Sequence, residues 1–471
     1  MHAYRREVTV NRDGEVLILG AGFSRAVSPH LPVADDLGRR VRTRLVRSER
    51  ALFRGSPRFS TTYPFEVWLS LLAEEQPHLR EAENLTNASR FASMKDSIVA
   101  VLTSAQDQAL AVDPPSWLYK LLLLLHHRRN NVISLNYDTL VEVGVRSLFG
   151  AQGGIHVELD TGDVLGGQPP LVNPPAGTWR AAETMRLLKL HGSLDWWWAP
   201  NDASGATLVR QEAGSVFGHP RAIGDDQRRR EIPGREPFII PPLATKSRYY
   251  RNPLTRQLWH DAYEALAGAE RITLVGYSLP RADTIMSEML GSVLRSGRAT
   301  VEVVDLRPDA ICKRLEALVG PTRKSGRLTL VGGHKCVETY VHKLAARASA
   351  QVVEGLQKVV LPGGRSYPDP VSVEWRYHGQ AAVRGISSIK GGPGGTVTLV
   401  CHGDHLRSVE MGGQVSAFEV LESVRAAQRL FAEAADGHQA TVIAYSTDSF
   451  NDPNAHHVLR LIADGQLPPA T

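Results

Sequence analysis

The feature that most constrains the fold is a short apolar run that ends in glycines, VLILGAGFS at residues 16–24. Consecutive Val, Leu and Ile residues bounded by glycine predict a buried parallel strand. Gly20 and Gly22 let the backbone turn sharply and approach a ligand without a Cβ in the way. The Ser24 hydroxyl and the N–H groups of a following helix suit a pyrophosphate. Because Arg25 stands where G-x-G-x-x-G has its third glycine, the segment fits both a dinucleotide-binding loop and a tight structural turn.

A second apolar strand delivers an asparagine and an aspartate at its end. Asn136 and Asp138 are two residues apart, and side chains at i and i+2 of an extended backbone share a face. Both therefore fit the carboxyl edge of an open α/β sheet, where ligands bind. Asp138 also fits a helix cap before Thr139. Because a polar side chain at the end of a strand contributes little packing, we expect Asn136 to be dispensable for the fold.

A third apolar strand ends in His191 and Gly192, and three consecutive tryptophans follow at 196–198. Histidine is the side chain whose charge changes near neutral pH, so His191 is a candidate base. The alternative is a hydrogen-bonded core histidine that packs beneath the tryptophans. Two of the tryptophans are expected in core or lid packing, and the third is available to wall a cleft and exclude water.

Two further buried strands end in residues that suit a nucleotide. One ends in Gly276-x-Ser278, and the next ends in Asp305. A carboxylate at such a position commonly accepts hydrogen bonds from ribose hydroxyls, although a simple loop acid explains Asp305 equally well. Apolar strands alternating with helical segments predict an α/β protein with a Rossmann-like, doubly wound, mostly parallel sheet and helical insertions.

Together these segments resemble the sirtuin-like family. The resemblance covers residues 14–348. It rests on four segments in order: GAGFS at 20–24, NYD at 136–138, KLHGSLDW at 189–196 and LVGYSLPRAD at 274–283. The segment FIIPP at 238–242, followed by Lys246, also fits the bacterial branch of this family.

The resemblance implies a substrate and a set of site residues. In sirtuins the Gly-Ala-Gly loop, the asparagine and the aspartate line an NAD pocket, and the histidine serves as the base. Carried onto this sequence, the catalytic residues are Asn136, Asp138 and His191. The residues expected to bind NAD are Gly20, Ala21, Gly22, Ser24, Gly276, Ser278 and, as the candidate ribose ligand, Asp305.

Two departures separate the chain from protein-deacylating sirtuins. Those enzymes carry four zinc-binding cysteines in two C-x-x-C pairs, whereas this chain has only Cys312, Cys336 and Cys401 and no C-x-x-C. A Cys₄ zinc module is therefore excluded, and we expect no metal. The Gly-Ile-Pro-Asp-Phe-Arg type of segment is also missing after the glycine loop. Both departures are typical of the bacterial sirtuin-like proteins that hydrolyse NAD in antiphage defence.

Composition favours a folded cytoplasmic enzyme. Hydrophobic residues make up 42% of the chain, which supplies ample core. The N-terminus lacks an apolar signal region, and the longest apolar run, 121–125, is far too short to span a bilayer, so we expect no membrane partner. Three scattered cysteines suit a reducing compartment. The net charge of +5 arises with arginine clusters that fit either a phosphate-binding face or solvated helices.

A length of 471 residues predicts two domains. Residues 1–348 are assigned to the sirtuin-like NAD-binding and catalytic domain. Residues 349–471 are assigned to a smaller C-terminal α+β domain, with strands at 371–377, 396–400 and 440–445 and a helix at 419–435. Because a constantly active NAD hydrolase would harm its cell, we expect this second domain to be a sensor or assembly module. A homo-oligomer is expected, with an activating ligand, nucleic acid or partner protein at the C-terminal domain.

The activity implied is that of an NAD⁺ glycohydrolase, which cleaves the nicotinamide–ribose bond to give nicotinamide and ADP-ribose. Two other classes remain open, because motif matches are hypotheses. One is an ADP-ribosyl transferase or zinc-free deacylase that uses NAD in the same pocket. The other is a non-enzymatic nucleotide-sensing module, which keeps the glycine loop but needs no chemistry from His191.

Overall fold

The computed structural model describes residues 14–48, 65–128, 130–149, 168–172, 185–200, 202, 204–243, 246, 249–297, 299–319 and 327–357, and strand segments between residues 360 and 461. In chain order, the strands up to residue 331 are β1 (Glu15–Leu19), β2 (Asn131–Ser134), β3 (Arg186–Lys189), β4 (Gly192–Trp198), β5 (Val209–Arg210), β6 (Glu236–Ile239), β7 (Arg271–Val275), β8 (Thr300–Val304) and β9 (Leu328–Val331).

Six of these strands form one parallel sheet in the order β3-β2-β1-β7-β8-β9. The strand order runs outward from β1 in one direction and outward from β7 in the other. The topological switch point therefore lies between β1 and β7, which is where open α/β sheets bind their ligands. This is the Rossmann-like, doubly wound sheet that the sequence predicts.

Helices cover both faces of the sheet. They are α1 (Ala21–Val27), α2 (Ala34–Ser48), α3 (Phe65–Ala73), α4 (Glu81–Leu110), α5 (Ser116–Arg128), α6 (Leu140–Phe149), α7 (Asp225–Glu231), α8 (Pro253–Ala267), α9 (Thr284–Ser296), α10 (Pro308–Val319) and α11 (Cys336–Gln357). Successive strand residues alternate between the faces. Val16 and Ile18 join the core beneath α2, α3, α8, α9 and α10, whereas Leu17 and Leu19 join the core beneath α1, α5, α6 and α11.

A buried ion network closes the amino-terminal edge of the sheet. Glu15 of β1 is 1% exposed, and its carboxylate accepts hydrogen bonds from Arg128 at 3.1 Å, Thr273 at 2.8 Å and Tyr340 at 3.1 Å. A buried carboxylate is tolerated only when its oxygens are paired in this way. The network ties α5, β7 and α11 to β1, so it serves the fold.

A small antiparallel sheet, ordered β5-β4-β6, continues from the end of β3. Trp196 and Trp198 of β4 are buried against Phe238 of β6, as expected for two of the three tryptophans. Trp197 instead lies under the guanidinium of Arg228, 5.3 Å from the ring centroid.

The predicted division between domains, at residues 348 and 349, falls inside α11. Beyond it, strands at Ser372–His378 and Val442–Thr447 match the predicted strands at 371–377 and 440–445. The strand predicted at 396–400 overlaps the strand Leu399–Asp404, and its first three residues lie outside the described residues. The helix predicted at 419–435 lies outside the described residues. Among the helices that the structure describes, none is both long and apolar enough to cross a membrane.

The turn after β1 packs directly on the turn after β7. The Gly20 N–H donates to the Val275 carbonyl at 3.0 Å, and the Gly22 N–H donates to the Gly276 carbonyl at 2.9 Å. A Cβ on Gly22 would lie 2.8 Å from the Gly276 Cα, and a Cβ on Gly276 would lie 2.1 Å from the Phe23 nitrogen. The missing Cβ atoms therefore make room first for the neighbouring backbone.

Replacing Gly276 should consequently damage the fold. Its φ is +61°, so Gly276→Ala adds both backbone strain and a collision with the α1 backbone, and we expect a loss of roughly 3 kcal/mol or more. Gly333→Ala is the matched control, because its φ is +96° but nothing lies within 4 Å of the added Cβ. That control should lose only about 1–2 kcal/mol. Urea unfolding measures both values, and equal losses would contradict the packing role of Gly276.

Candidate functional site

Polar side chains gather at the carboxyl ends of β1, β2, β3 and β7. The strand pairing sets Leu19 beside Ser134 and Ser134 beside Lys189. The residues that follow, Gly20, Asn136 and His191, consequently emerge at the same edge of the sheet. The short turns after these strands bring side chains from three separate segments of the chain into one cluster.

Asn136 lies at the centre of a hydrogen-bonded relay. Its Nδ2 donates to the Gly20 carbonyl at 2.9 Å and to the Ser24 hydroxyl at 2.8 Å. The Ser24 hydroxyl in turn donates to the Asp138 Oδ2 at 2.6 Å. Asn136 is 8% exposed and Ser24 is 3% exposed. The structure therefore brings four of the expected site residues, Gly20, Ser24, Asn136 and Asp138, into direct contact.

The relay fixes the orientation of the Asn136 amide. The Gly20 carbonyl can only accept, so the NH₂ end must face it. Both Nδ2 hydrogens are then used, and within the described residues the Oδ1 has no protein donor. Asn136 can therefore offer a ligand only an acceptor. The buried amide also links the end of β2 to the β1 turn, so we expect its removal to lower stability as well as activity.

Asp138 performs the capping role that the sequence also allowed. Its Oδ1 accepts from the Leu140 N–H at the start of α6 at 3.3 Å, while its Oδ2 holds Ser24. The Asp138 carbonyl accepts from the ammonium of Lys189, at 2.6 Å, and Lys189 also pairs with Glu142 at 2.9 Å. Burial raises the pKa of Glu142 to about 7, against the opposing attraction of Lys189. This ion pair holds the turn that carries Asn136.

His191 belongs to a second buried cluster beside the relay. Its Nε2 lies 3.1 Å from the ammonium of Lys246, and that ammonium donates to the Asp283 Oδ1 at 3.0 Å. The Asp283 Oδ2 accepts from the Tyr277 hydroxyl at 2.9 Å. All four residues are at most 7% exposed. The cluster therefore links the end of β3 to the segment that follows β7.

The surroundings of His191 favour the neutral ring. Burial, and then the Lys246 ammonium, lower the pKa of His191 to about 4, against the raising effects of Asp283 and the Leu135 carbonyl. The neighbouring rings are Tyr137 and Trp259, each with its centroid 6.4 Å away. His191 is thus buried, as the core alternative requires, but its polar neighbours include the charged groups of Lys246 and Asp283.

The other expected NAD-binding residues lie farther along the same edge. Ala21 begins α1 and is partly exposed, and Gly276 contacts Gly22 as described above. Ser278 is exposed, and its carbonyl accepts from Arg314. Asp305 follows β8, where its Oδ1 accepts from the Arg307 N–H at 2.9 Å, as a loop acid does. The relay does not include Ser278 or Asp305.

The sequence pattern alone predicts no role for Lys246, Asp283 or Tyr277. Asp283 directly precedes α9, where an aspartate usually caps the helix. Its carboxylate makes no such hydrogen bond and turns inward instead. The segment before it is strained, since Leu279 has a φ of +50° without being a glycine. Strained segments of this kind cluster at functional sites, but this strain is visible only in the folded structure.

Among the described side chains, no group of three or more His, Cys, Asp or Glu residues could hold a metal ion. The fold and the site together define a doubly wound α/β protein with a buried polar cluster at its switch-point edge. What this edge can do chemically is accept hydrogen bonds from a ligand through the Asn136 Oδ1, while the imidazole of His191 is already engaged by Lys246.

No protein-family model matches the chain, and no curated protein matches it. Several solved sirtuin structures do. One described as "Structural Basis for the Mechanism and Regulation of Sir2 Enzymes" is 12% identical, with 71% of this chain and 93% of that chain covered and a TM-score of 0.32. A second, "Sir2 bound to acetylated peptide", is 14% identical, with 71% of this chain and 92% of that chain covered and a TM-score of 0.32. A third, "Sir2-p53 peptide-NAD+", is 12% identical, with 71% of this chain and 93% of that chain covered and a TM-score of 0.30. Likeness at this level assigns no residue a role.

The low pKa of His191 predicts a specific loss of stability in acid. The folded protein binds the His191 proton only near pH 4, whereas the unfolded chain binds it near 6.5, so folding is favoured as the pH rises through this window. At about 1.4 kcal/mol per pKa unit, the contribution lost between pH 6.5 and pH 4 is about 3 kcal/mol. His191→Gln should flatten the stability curve by that amount. Parallel urea-unfolding curves for the two proteins across this range would contradict the assignment.

Proposed function

We propose that the chain is an NAD⁺ glycohydrolase that splits the bond between nicotinamide and ribose. The observation that carries the proposal is the Asn136 amide, whose two N–H groups are used within the protein and whose Oδ1 is left as an acceptor. Such an acceptor selects a hydroxyl or a water. The ribose of NAD carries hydroxyls, and hydrolysis requires a water. The position at the switch point of a doubly wound sheet supports a dinucleotide.

In the proposed reaction the glycosidic C–N bond breaks, and its electron pair goes to the pyridine nitrogen. Nicotinamide leaves as a neutral molecule, so little acid catalysis is needed. The ribose carbon develops oxocarbenium character, which a nearby carboxylate stabilises through its charge. The Ser24–Asp138 pair supplies that charge at the end of the relay. A water held by Asn136 then adds to the ribose carbon and gives ADP-ribose.

His191 is the proposed base that takes the proton from this water or from a ribose hydroxyl. General base catalysis of this kind contributes about 10²–10⁴-fold in rate. A neutral imidazole is the form required, and burial keeps the ring neutral at physiological pH by lowering the pKa of His191. Gly20, Ala21, Gly22, Ser24, Gly276, Ser278 and Asp305 remain the proposed NAD-binding residues along the same edge.

The motif resemblance supports a role in bacterial antiphage defence through NAD depletion. On this proposal residues 349–471 form a sensor or assembly module that controls the enzyme in a cytoplasmic homo-oligomer, in response to a small ligand, a nucleic acid or a partner protein. Control is required because uncontrolled NAD hydrolysis would be lethal to the host cell.

Product analysis tests the reaction class. The purified full chain is incubated with NAD, and the products are resolved by liquid chromatography and mass spectrometry. Free nicotinamide and ADP-ribose in equal amounts are expected. Acyl-ADP-ribose or an ADP-ribosylated protein would indicate a deacylase or transferase instead, and NAD binding without turnover would indicate a nucleotide sensor.

Asn136→Ala tests the residue that carries the proposal, with Asn130→Ala as a matched control. Asn130 is also a buried asparagine whose Nδ2 donates to a β1 carbonyl, that of Glu15 at 2.8 Å, but at the opposite edge of the sheet. Both variants should lose about 1–3 kcal/mol of stability. Only Asn136→Ala should also lose more than about tenfold in turnover, a change of at least ~1.4 kcal/mol in the barrier.

Turnover in this comparison is normalised to the folded fraction, which circular dichroism measures under the assay conditions. If folded Asn136→Ala keeps more than about a tenth of the normal rate, or if Asn130→Ala loses as much, the assigned role of Asn136 is wrong.

A further inference from the structure

The Lys246 ammonium engages the Nε2 of His191, which is the atom that must accept a proton if His191 acts as a base. In the neutral ring one nitrogen is a donor and the other is an acceptor. The Leu135 carbonyl engages the donor, and Lys246 lies 3.1 Å from Nε2. As folded, His191 therefore has no acceptor left for a water or a ribose hydroxyl.

Asp283 is arranged to hold Lys246 in that position. Its carboxylate accepts from the ammonium at 3.0 Å and from Tyr277 at 2.9 Å, and it forgoes the capping of α9 to do so. The same carboxylate oxygen lies only 3.7 Å from the His191 Nε2. If the ammonium moved away, His191 and Asp283 would face each other directly.

We infer that Lys246 is a latch on His191: the ammonium holds the site in a resting form, and its displacement releases His191 as a base. This inference rests on the proposed function, because it takes His191 to be the base. The contact between Lys246 and His191 does not depend on that function. A cation at this position also opposes the positively charged nicotinamide ring and the developing oxocarbenium ion, so the resting form disfavours both substrate and transition state. The latch gives the enzyme an off state within its own site.

Other titratable groups pack around this cluster and must be considered in any pH experiment. They are Glu66 of α3, Tyr137 after β2, Tyr250 before α8, and Tyr277. Burial raises the pKa of each, so the three tyrosines stay neutral around neutral pH. The charges that act most directly on His191 are therefore Lys246 and Asp283.

The test measures the ionisation of His191 directly. In the full chain with labelled histidine, the NMR titration of His191 is identified by its absence in His191→Gln. Lys246→Met should raise the pKa of His191 by about one unit or more, because the repelling charge is gone and Asp283 remains. Asp283→Asn should lower the pKa of His191 further. Lys313→Met, at an exposed lysine of α10, should leave it unchanged.

The rate of NAD cleavage then shows whether Lys246 restrains His191 or only supports the structure around it. At neutral pH, Lys246→Met should cleave NAD about tenfold faster than the parent chain. If the pKa of His191 does not rise in Lys246→Met, the contact between Lys246 and His191 is overturned. If the pKa rises but Lys246→Met cleaves NAD more slowly than the parent chain, the role of Lys246 as a latch is overturned. If the pKa values move as expected while no variant cleaves NAD, the proposed function fails and the contact stands. If Lys246→Met does not fold, Lys246→Gln removes the charge while keeping an amide donor, and the same shifts are required of it.

Discussion

The close contact between the turn after β1 and the turn after β7 is the constraint on which the site depends. Gly22 and Gly276 pack backbone against backbone, and a Cβ on either would lie within 2.8 Å of the other turn. This contact sets where α1 begins and therefore where Ser24 lies. It also sets the start of the segment that carries Tyr277 and Asp283. The relay and the histidine cluster thus lie on either side of one backbone contact.

Polar groups are buried at both edges of the sheet, but they serve different purposes at the two edges. At the amino-terminal edge the Glu15 carboxylate is paired with Arg128, Thr273 and Tyr340, and this network serves the fold. At the carboxyl edge Asn136 ends the relay with an acceptor that has no protein donor within the described residues. This acceptor can receive a hydrogen bond from a ligand, and it is the feature on which the proposed function rests.

The parts of the fold that local pattern determines could be predicted from the sequence. The apolar run at 16–19 had to be a strand buried on both faces, and the alternation of apolar strands with helical segments predicted the doubly wound parallel sheet. The motifs also assigned Ser24, Asn136 and Asp138 to one edge of the sheet, because the carboxyl ends of parallel strands lie at the same edge.

What the sequence could not provide were contacts between distant segments. Lys246 is 55 residues from His191 and 37 from Asp283, and only the packing of the fold brings them together. Asp283 has the local signature of a helix cap, which its inward turn overrides. The glycines were expected to make room for a ligand, yet the backbone at Gly276 takes that space. The hydrogen bonds of Asn136 to Gly20 and Ser24 were likewise invisible in the local pattern.

The most direct test of the central claim is hydrogen–deuterium exchange of the full chain with and without a non-hydrolysable carbocyclic NAD analogue. Binding at the switch-point edge predicts slower exchange in the segments at 20–24, 134–138 and 276–283, with the Glu15 edge of the sheet unchanged. Unchanged exchange in those three segments at a saturating concentration of the analogue, or protection confined to other parts of the chain, would contradict an NAD site at this edge.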